Sequence, residues 1–343
     1  MKITNKLSFN FNERPKIIAE VSGNHEGSKK KFLKLIKSAF ENGADIVKIQ
    51  TYEPKDITLK NNNNEFYVKK GIWKNKHLWD LYSDACTPFS WHKDAFRLAK
   101  NLNKIIFSSP FSLRGVDLLE KLNVKIYKIA SFEITDLKLI RYIASKKKPI
   151  ILSTGMATKN EINRAIKEIR KFHKKIIIMH CVSDYPTKLV NTNLKNIKRL
   201  RKYYKNNLIG LSDHTKDITS SLVSIPLGVV AIEKHFKLNS NSKSHDSSFS
   251  ITPSQLKNLR DISEQVFLSV NSKFKKTDLT NKKLRRSIFS TKKILKGELL
   301  TSQNIDTFRP KIGIDASKYF DTLGKTAKKF IKANSPIKAN DII

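Results

Sequence analysis

The sequence contains few cysteines, no long apolar run and no recognisable leader. Its 343 residues include two cysteines, Cys86 and Cys181, which lie far apart and in no metal-ligand spacing. A disulfide framework is therefore not expected, which is typical of a reducing compartment. No apolar run approaches the ~20 residues that span a bilayer, and the N-terminal segment MKITNKLSFNFNERP lacks the apolar core of a signal peptide. These absences predict a cytoplasmic protein that does not enter a membrane.

Acidic residues are also scarce, with 30 Asp and Glu against 67 Lys and Arg, a formal net charge of +37. Such a charge suggests nucleic acid as a partner, and a basic nucleic-acid-binding protein is therefore one of the functions to be considered, as an alternative to an enzyme. The lysines, however, are spread over every helical segment, and no RNA-binding motif or arginine-aromatic stripe is present. We therefore expect no nucleic-acid partner, but a positive field that attracts anionic, phosphate-bearing substrates.

The chain alternates short apolar runs with amphipathic stretches, which predicts an α/β fold with parallel strands. No Gly-rich phosphate loop follows any run, which disfavours a doubly wound open sheet. Polar residues end nearly all of the runs, and a (β/α)₈ TIM barrel explains this pattern better than a single switch point. The predicted strands are Ile17–Val21, Asp45–Thr51, Ile105–Phe111, Ile126–Phe132, Pro149–Gly155, Ile176–Val182, Leu208–Asp213 and Val230–Phe236.

The periodicity divides the chain into three parts. Residues 1–270 contain the barrel, 271–283 form a polar linker, and 284–343 are long enough only for a small, loop-rich domain. Inside the barrel, an excursion from Tyr52 to about Asn103 interrupts the alternation. An insertion of this size after a barrel strand predicts a lid or a specificity wall.

The polar residues at the strand ends are candidates for chemistry. His214 and His235 follow neighbouring strands and together predict a shared divalent metal, although a lone strand-end histidine is more often structural. Lys48 lies inside an apolar strand and needs an anionic partner to be buried. His180 and Cys181 are adjacent on one strand, so they cannot both face the same site.

Seven ordered motifs resemble the sialic acid synthase (NeuB) family: AEVSGNHEG, VKIQT, YKIASFE, LSTGMA, HCVSDYPT, GLSDHT and EKHF. The tail RRSIF…KGE…NIDTFRP resembles that family's C-terminal antifreeze-like (SAF) domain, so the match covers nearly the whole chain. The aromatic-rich segment IWKNKHLWDLYSDACTPFSWH resembles the pseudaminic acid synthase branch more than the N-acetylneuraminate or legionaminic acid branches, which stay as alternatives.

The resemblance implies a condensation of phosphoenolpyruvate with an open-chain, di-N-acetylated deoxy amino sugar. The product is a nine-carbon nonulosonic acid, phosphate is released, and Mn²⁺ or Mg²⁺ is the expected cofactor. His214 and His235 would hold the metal, and Glu20 matches the catalytic carboxylate. The positions that match phosphoenolpyruvate contacts are Lys48, Ser109, Lys128, Ser131, Ser153 and Ser212.

Other positions match contacts to the sugar. Tyr185 and Asp246 are two of these, and Ser183 falls near a position where another branch has asparagine. Arg309, in the tail motif TFRP, matches an arginine that reaches the barrel of the partner subunit, which implies a domain-swapped homodimer. A third possibility, an inert barrel with an ice- or glycan-binding tail, is disfavoured because Glu20, Lys48 and both histidines are intact.

Overall fold

The computed structural model describes residues 1–272 and 280–343. They form two compact units, Met1–Asn271 and Ser272–Ile343. Most of the predicted linker, 271–283, lies outside the described residues. No helix in the two described ranges is long and apolar enough to cross a membrane.

The first unit is a closed barrel of eight parallel strands in sequential order, so the predicted (β/α)₈ fold is confirmed. The strands are β1 Lys16–Glu20, β2 Ile46–Thr51, β3 Ile105–Pro110, β4 Tyr127–Ile129, β5 Ile150–Ser153, β6 Ile176–Cys181, β7 Leu208–Asp213 and β8 Ala231–His235. All eight predicted runs contain a strand. Strand β4 is shorter than predicted because the chain turns into a 3₁₀ helix at Ser131–Thr135.

Helices follow most strands and cover the barrel. Four of them begin at a side chain that accepts a hydrogen bond from the first turn, which satisfies a backbone donor that the helix leaves free; these caps are Ser28, Ser112, Asp136 and Thr158. The helices are α1 Lys29–Glu41, α2 Leu78–Ala85, α3 Phe89–Asn101, α4 Leu113–Lys121, α5 Leu137–Ser145, α6 Lys159–Arg170, α7 Lys195–Tyr203, α8 Thr219–Ser224 and α9 Pro253–Asn271.

The register of the strands brings polar side chains to one level of the barrel. Glu20 is paired with Lys48 on one side and with His235 on the other. Ser212 is paired with Glu233 across β7 and β8. Because side chains alternate along a strand, residues two apart share a face, and Glu233 therefore points to the same side as His235.

The second unit is small and rich in loops. Strand β9 Ser287–Ser290 pairs antiparallel with β10 Ile305–Phe308, and a single helical turn, α10, spans Tyr319–Thr322. Its core is a separate apolar cluster of mainly isoleucines and leucines, including Ile288, Ile294, Leu300, Ile305 and Ile337. Each unit thus has its own hydrophobic core.

Candidate active site

A cavity of about 490 Å³ opens at the carboxyl ends of the barrel strands. This is the end at which TIM barrels place their active sites. Most of the site residues predicted from the sequence line it: Lys48, Lys128, Ser131, Ser153, Tyr185, Ser212, His214, His235 and Asp246. The remaining barrel candidates contact this set, since Glu20 and Ser109 lie against Lys48, and Ser183 lies against Ser131.

Two lysines and two glutamates form the charged base of the cavity. The Lys48 ammonium lies 2.7 Å from Glu20 Oε2 and 3.5 Å from Glu233 Oε1. Lys128 Nζ lies 3.6 Å from the same Glu233 oxygen. All four side chains are at most 5% exposed, so Lys48 has the anionic partners that its burial requires.

Burial and charge act in opposite directions on these groups. Burial raises the pKa of Glu20 above its ordinary value, and the nearby Lys48 only partly opposes this. For Glu233 burial also favours the neutral acid, but Lys128 and Lys48 together hold its pKa below the ordinary value. Burial lowers the pKa of Lys128, with Glu233 acting against it. The carboxylates therefore differ: Glu233 stays ionised, whereas Glu20 is tuned towards proton exchange.

The two histidine rings lie side by side in the wall of the cavity, with ring centroids 5.5 Å apart. His214 Nδ1 lies 2.8 Å from the carbonyl oxygen of Val182. A carbonyl only accepts hydrogen bonds, so this nitrogen carries the proton and Nε2 keeps its lone pair. His235 Nδ1 lies 3.2 Å from Ser22 Oγ and 3.5 Å from Asp246 Oδ2. Because the Ser22 hydroxyl donates its proton to Asp246 Oδ2, it accepts from His235, so Nδ1 carries the proton here too and each ring keeps its lone pair on Nε2.

The serine hydroxyls extend the polar surface around the lysines. Ser109 Oγ lies 3.4 Å from Lys48 Nζ, and Ser212 donates a 3.1 Å hydrogen bond to Glu233. Ser131 and Ser183 are 3.0 Å apart. Ser153 Oγ is buried and has no hydrogen-bond partner among residues 1–272 and 280–343. An unpaired hydroxyl facing a cavity is a donor available to a ligand.

The long excursion after β2 supplies an apolar wall of the cavity. Its lining residues are Ile57, Val68, Trp73, Leu78, Leu81, Tyr82 and Ala85. The ring centroids of Trp73 and Tyr185 lie 5.5 Å apart, and the Trp73 indole N–H donates to the carbonyl oxygen of His245. Trp91, by contrast, packs against His25 and Phe32. The excursion therefore forms part of the cavity wall, with Trp73 lining the cavity and Trp91 packing elsewhere, and its role in specificity stays a prediction.

Sequence reasoning gave no role to several residues of this site. Glu233 appears in the sequence analysis only as the first residue of the motif EKHF, without a role of its own. Its position two residues before His235 on the same strand indicates a side chain that faces the inside of the barrel. Glu133 was missed because it lies on the 3₁₀ turn after β4, where no strand alternation applies. Its Oε2 is buried without a hydrogen-bond partner in the described chain, and burial raises its pKa to about 7.

Two further expectations concern residues outside the cluster. Arg309 belongs to the second unit, follows β10 directly and is exposed. His180 Nε2 donates a 2.8 Å hydrogen bond to the Thr192 carbonyl oxygen, so Nε2 is its protonated nitrogen. Cys181 instead lines the cavity beside His214. The two neighbours on β6 thus point to opposite faces, as alternation predicts.

Comparisons with known proteins agree with this arrangement. The family model "NeuB family" matches residues 35–275, and the model "SAF domain" matches 285–343. The chain is 40% identical over 333 residues to the pseudaminic acid synthase of Helicobacter pylori, covering 96% of this chain and 98% of the relative. It is 36% identical to the N,N'-diacetyllegionaminic acid synthase of Campylobacter jejuni, covering 94% and 98%.

Solved structures give the same result. A spore coat polysaccharide biosynthesis protein from Bacillus subtilis matches with a TM-score of 0.68 and 27% identity, over 100% of this chain and 99% of the other. An N-acetylneuraminic acid synthetase from Leptospira borgpetersenii matches with a TM-score of 0.72 and 26% identity, over 81% and 94%. The resemblance seen in the motifs is thereby confirmed: this chain belongs to the NeuB family and carries a C-terminal SAF domain.

Proposed function

We propose that this enzyme condenses phosphoenolpyruvate with an open-chain, di-N-acetylated deoxy amino sugar, as a pseudaminic acid synthase. The observation that carries the proposal is the buried Lys48–Glu20–Glu233–Lys128 cluster lying beside two histidines with free Nε2 atoms. In the reaction, C3 of the enol forms a bond to the aldehyde carbon, and the aldehyde oxygen gains a proton. Water adds at C2, and cleavage of the C2–O bond releases phosphate, which balances the reaction.

The base of the cavity suits a ligand that carries a phosphate and a carboxylate. Lys48 and Lys128 offer two fixed ammonium groups, and Ser153 offers a hydroxyl that has no hydrogen-bond partner in the described part of the chain. A raised pKa of Glu20 reduces the negative charge that opposes such a ligand. Charge-assisted hydrogen bonds from lysine to phosphate or carboxylate are stronger than neutral ones, and burial increases this effect.

The histidine pair fits a divalent cation, Mn²⁺ or Mg²⁺. His214 and His235 each have Nδ1 engaged by a neighbour, which fixes the ring and aims the Nε2 lone pair. Among the described residues no group of three or more His, Cys, Asp or Glu side chains forms a metal cluster, so two imidazoles would leave positions for water and substrate. A bound divalent ion would supply Lewis acidity at the sugar aldehyde.

Glu20 is the residue best placed for proton transfer. It is fully buried at the end of β1, and neither of its oxygens receives a hydrogen bond of good geometry from the described residues. Its raised pKa brings the carboxyl closer to the operating pH of an acid or base. In that role Glu20 activates the water that attacks C2 or delivers the proton to the aldehyde oxygen.

The sugar side of the cavity combines a polar and an apolar surface. The Asp246 side chain is 14% exposed, and although partial burial disfavours its charge, the contacts with His235 and Ser22 hold its pKa below the ordinary value. The ring centroids of Tyr185 and His214 lie 4.4 Å apart. These groups, with Ser183, would bind hydroxyl and amide groups, while the apolar wall formed by the excursion would contact methyl groups of the acetamido substituents.

The second unit would complete the site in a dimer. Arg309 is a cation on a separate unit, and we propose that it reaches the barrel of a partner subunit in a domain-swapped homodimer that acts in the cytoplasm. An arginine is suited to this task because its guanidinium binds a carboxylate or phosphate through two hydrogen bonds.

One assay tests the proposal. Purified protein is incubated with Mn²⁺, phosphoenolpyruvate and, separately, the amino sugar precursors of the pseudaminic, legionaminic and N-acetylneuraminic acid branches, and phosphate release is measured. We expect release that requires both metal and sugar and is fastest with the pseudaminic precursor. Faster release with another precursor reassigns the branch, and no sugar-dependent release with any of them refutes the function.

A further inference from the structure

A buried ion pair lies directly behind the two candidate metal ligands. Asp213 and Lys234 precede His214 and His235, and they are register partners across β7 and β8. Lys234 Nζ lies 3.2 Å from Asp213 Oδ2, with Lys234 0% exposed and Asp213 2% exposed. Because neighbouring residues on a strand point to opposite faces, this pair faces the helix layer while the histidines face the cavity.

The pair is saturated with hydrogen bonds. Lys234 donates to the carbonyl oxygen and to the hydroxyl oxygen of Thr215, in addition to its contact with Asp213. These contacts use the three donors of an ammonium group. The Asp213 carboxylate accepts from the Thr215 backbone N–H at 2.8 Å and from the Ser221 hydroxyl at 2.6 Å. The group therefore ties together β7, β8 and helix α8.

The position of these contacts fixes the backbone around His214. Asp213 and Thr215 are its two chain neighbours, and both are held by Lys234, the residue before His235. The His214 carbonyl also accepts from the Thr187 N–H at 3.0 Å. A shift between β7 and β8 would thus have to break several buried polar contacts at once.

Stability alone is a weak explanation for such a pair. Moving two charges out of water costs free energy that their attraction often fails to recover, and apolar replacements are frequently neutral or stabilising. A buried pair does, however, specify one alignment of the elements that carry it, since any other alignment leaves charges unpaired. Here the elements are the two strands whose ends carry the paired histidines.

We propose that Asp213, Lys234, Thr215 and Ser221 form a positioning clamp that sets the spacing and aim of the His214 and His235 rings for a divalent cation. The clamp rests on the metal site of the proposed function. None of its four members lines the cavity, so they act only through the two histidines.

The chain offers a matched control at the opposite end of the barrel. Asp45 also accepts from a backbone N–H, that of Ile17 at 2.8 Å, and pairs with the buried Arg14 at 2.7 Å. Asp213→Asn and Asp45→Asn therefore remove the same charge from the same kind of contact. Only the first lies beside a histidine.

The experiment measures Mn²⁺ binding to metal-free protein by electron paramagnetic resonance of the free ion, at a temperature at which both variants are folded by circular dichroism. We expect Asp213→Asn to bind Mn²⁺ about 10- to 100-fold more weakly than the wild type, as found for residues that orient metal ligands. Asp45→Asn should bind Mn²⁺ within about twofold of the wild-type affinity, even if its melting temperature falls as far as that of Asp213→Asn. Ser221→Ala removes the hydroxyl that donates to Asp213 and should weaken Mn²⁺ binding by several-fold. This variant replaces Asp213→Asn in the test if Asp213→Asn does not fold.

A second readout needs no metal. Nitrogen-15 spectra of histidine-labelled, metal-free protein report the ring tautomers, and we expect His214 to lose its Nδ1-protonated form in Asp213→Asn but not in Asp45→Asn. Wild-type affinity in Asp213→Asn and Ser221→Ala, or equal weakening in Asp45→Asn, overturns the clamp. If the wild type binds no Mn²⁺, the proposed metal site fails, and unchanged tautomers in Asp213→Asn then overturn the clamp separately.

Discussion

Replacing Glu133 with glutamine should stabilise the protein at neutral and alkaline pH. Glu133 lies on the turn after β4 at the edge of the cavity, and its Oε2 is buried without a hydrogen-bond partner in the described parts of the chain. Burial raises its pKa from 4.5 to about 7, opposed by its own backbone N–H and by Lys128. The ionised form is therefore disfavoured in the folded chain.

The magnitude follows from the shift in pKa. A pKa difference of roughly 2.5, at about 1.4 kcal/mol for each pKa unit, corresponds to about 3.5 kcal/mol. Between about pH 4.5 and pH 7 the folded chain holds a proton that the unfolded chain has released, so stability falls as the pH rises through this window. The penalty is complete above pH 7 and absent below pH 4.5. Glutamine is neutral throughout and avoids it.

Thermal unfolding of metal-free protein between pH 4 and pH 8.5 measures this effect. Glu133→Gln should melt about 5 °C above the wild type at pH 8, and the difference should vanish near pH 4.5. The control is Glu65→Gln, because Glu65 is exposed, and it should show no such trend. A Glu133→Gln difference that is independent of pH, or a lower melting temperature at pH 8, would refute the reasoning.

Three further predictions concern the chemistry. His214→Ala and His235→Ala should each abolish Mn²⁺ retention and turnover; full activity of chelator-treated wild type would contradict the metal site. Glu20→Gln should lower kcat on the order of 100-fold or more with little change in melting temperature, and near wild-type kcat would move the role to a neighbour. Mixing inactive Glu20→Gln and Arg309→Ala chains after dissociation and reassociation should restore about a quarter of wild-type sites, and a mixture that stays inactive argues against the swapped dimer.

The barrel could be predicted because its strands are buried on both faces. Runs such as Ile176–Cys181, buried along their whole length, are apolar enough to be recognised without any structure. The end of β4 was predicted too late in the chain, because Phe132 extends the apolar run of the sequence although the backbone turns into a 3₁₀ helix at Ser131 and leaves the Phe132 side chain 62% exposed. An apolar residue next to a strand is not always buried, so the apolar run alone does not mark where the strand ends.

The site could be predicted only where strand alternation or a family motif applied. His214, His235 and Lys48 follow such signals, and the cavity contains all three. Glu133 and Trp73 lie on segments without a regular period, so their approach to the cavity depends on loop geometry. The charge balance among Glu20, Glu233 and the lysines depends on distances of a few ångströms, which no sequence pattern encodes.

The formation of a carbon–carbon bond is the central claim, and mass spectrometry of the product tests it directly. The protein is incubated with Mn²⁺, the pseudaminic precursor sugar and phosphoenolpyruvate labelled with carbon-13 at all three carbons. The proposed condensation predicts one new acid whose mass is that of the sugar plus the labelled three-carbon unit, formed in equal amount with free phosphate. Phosphate release accompanied by labelled pyruvate, with the sugar unchanged, would contradict the account.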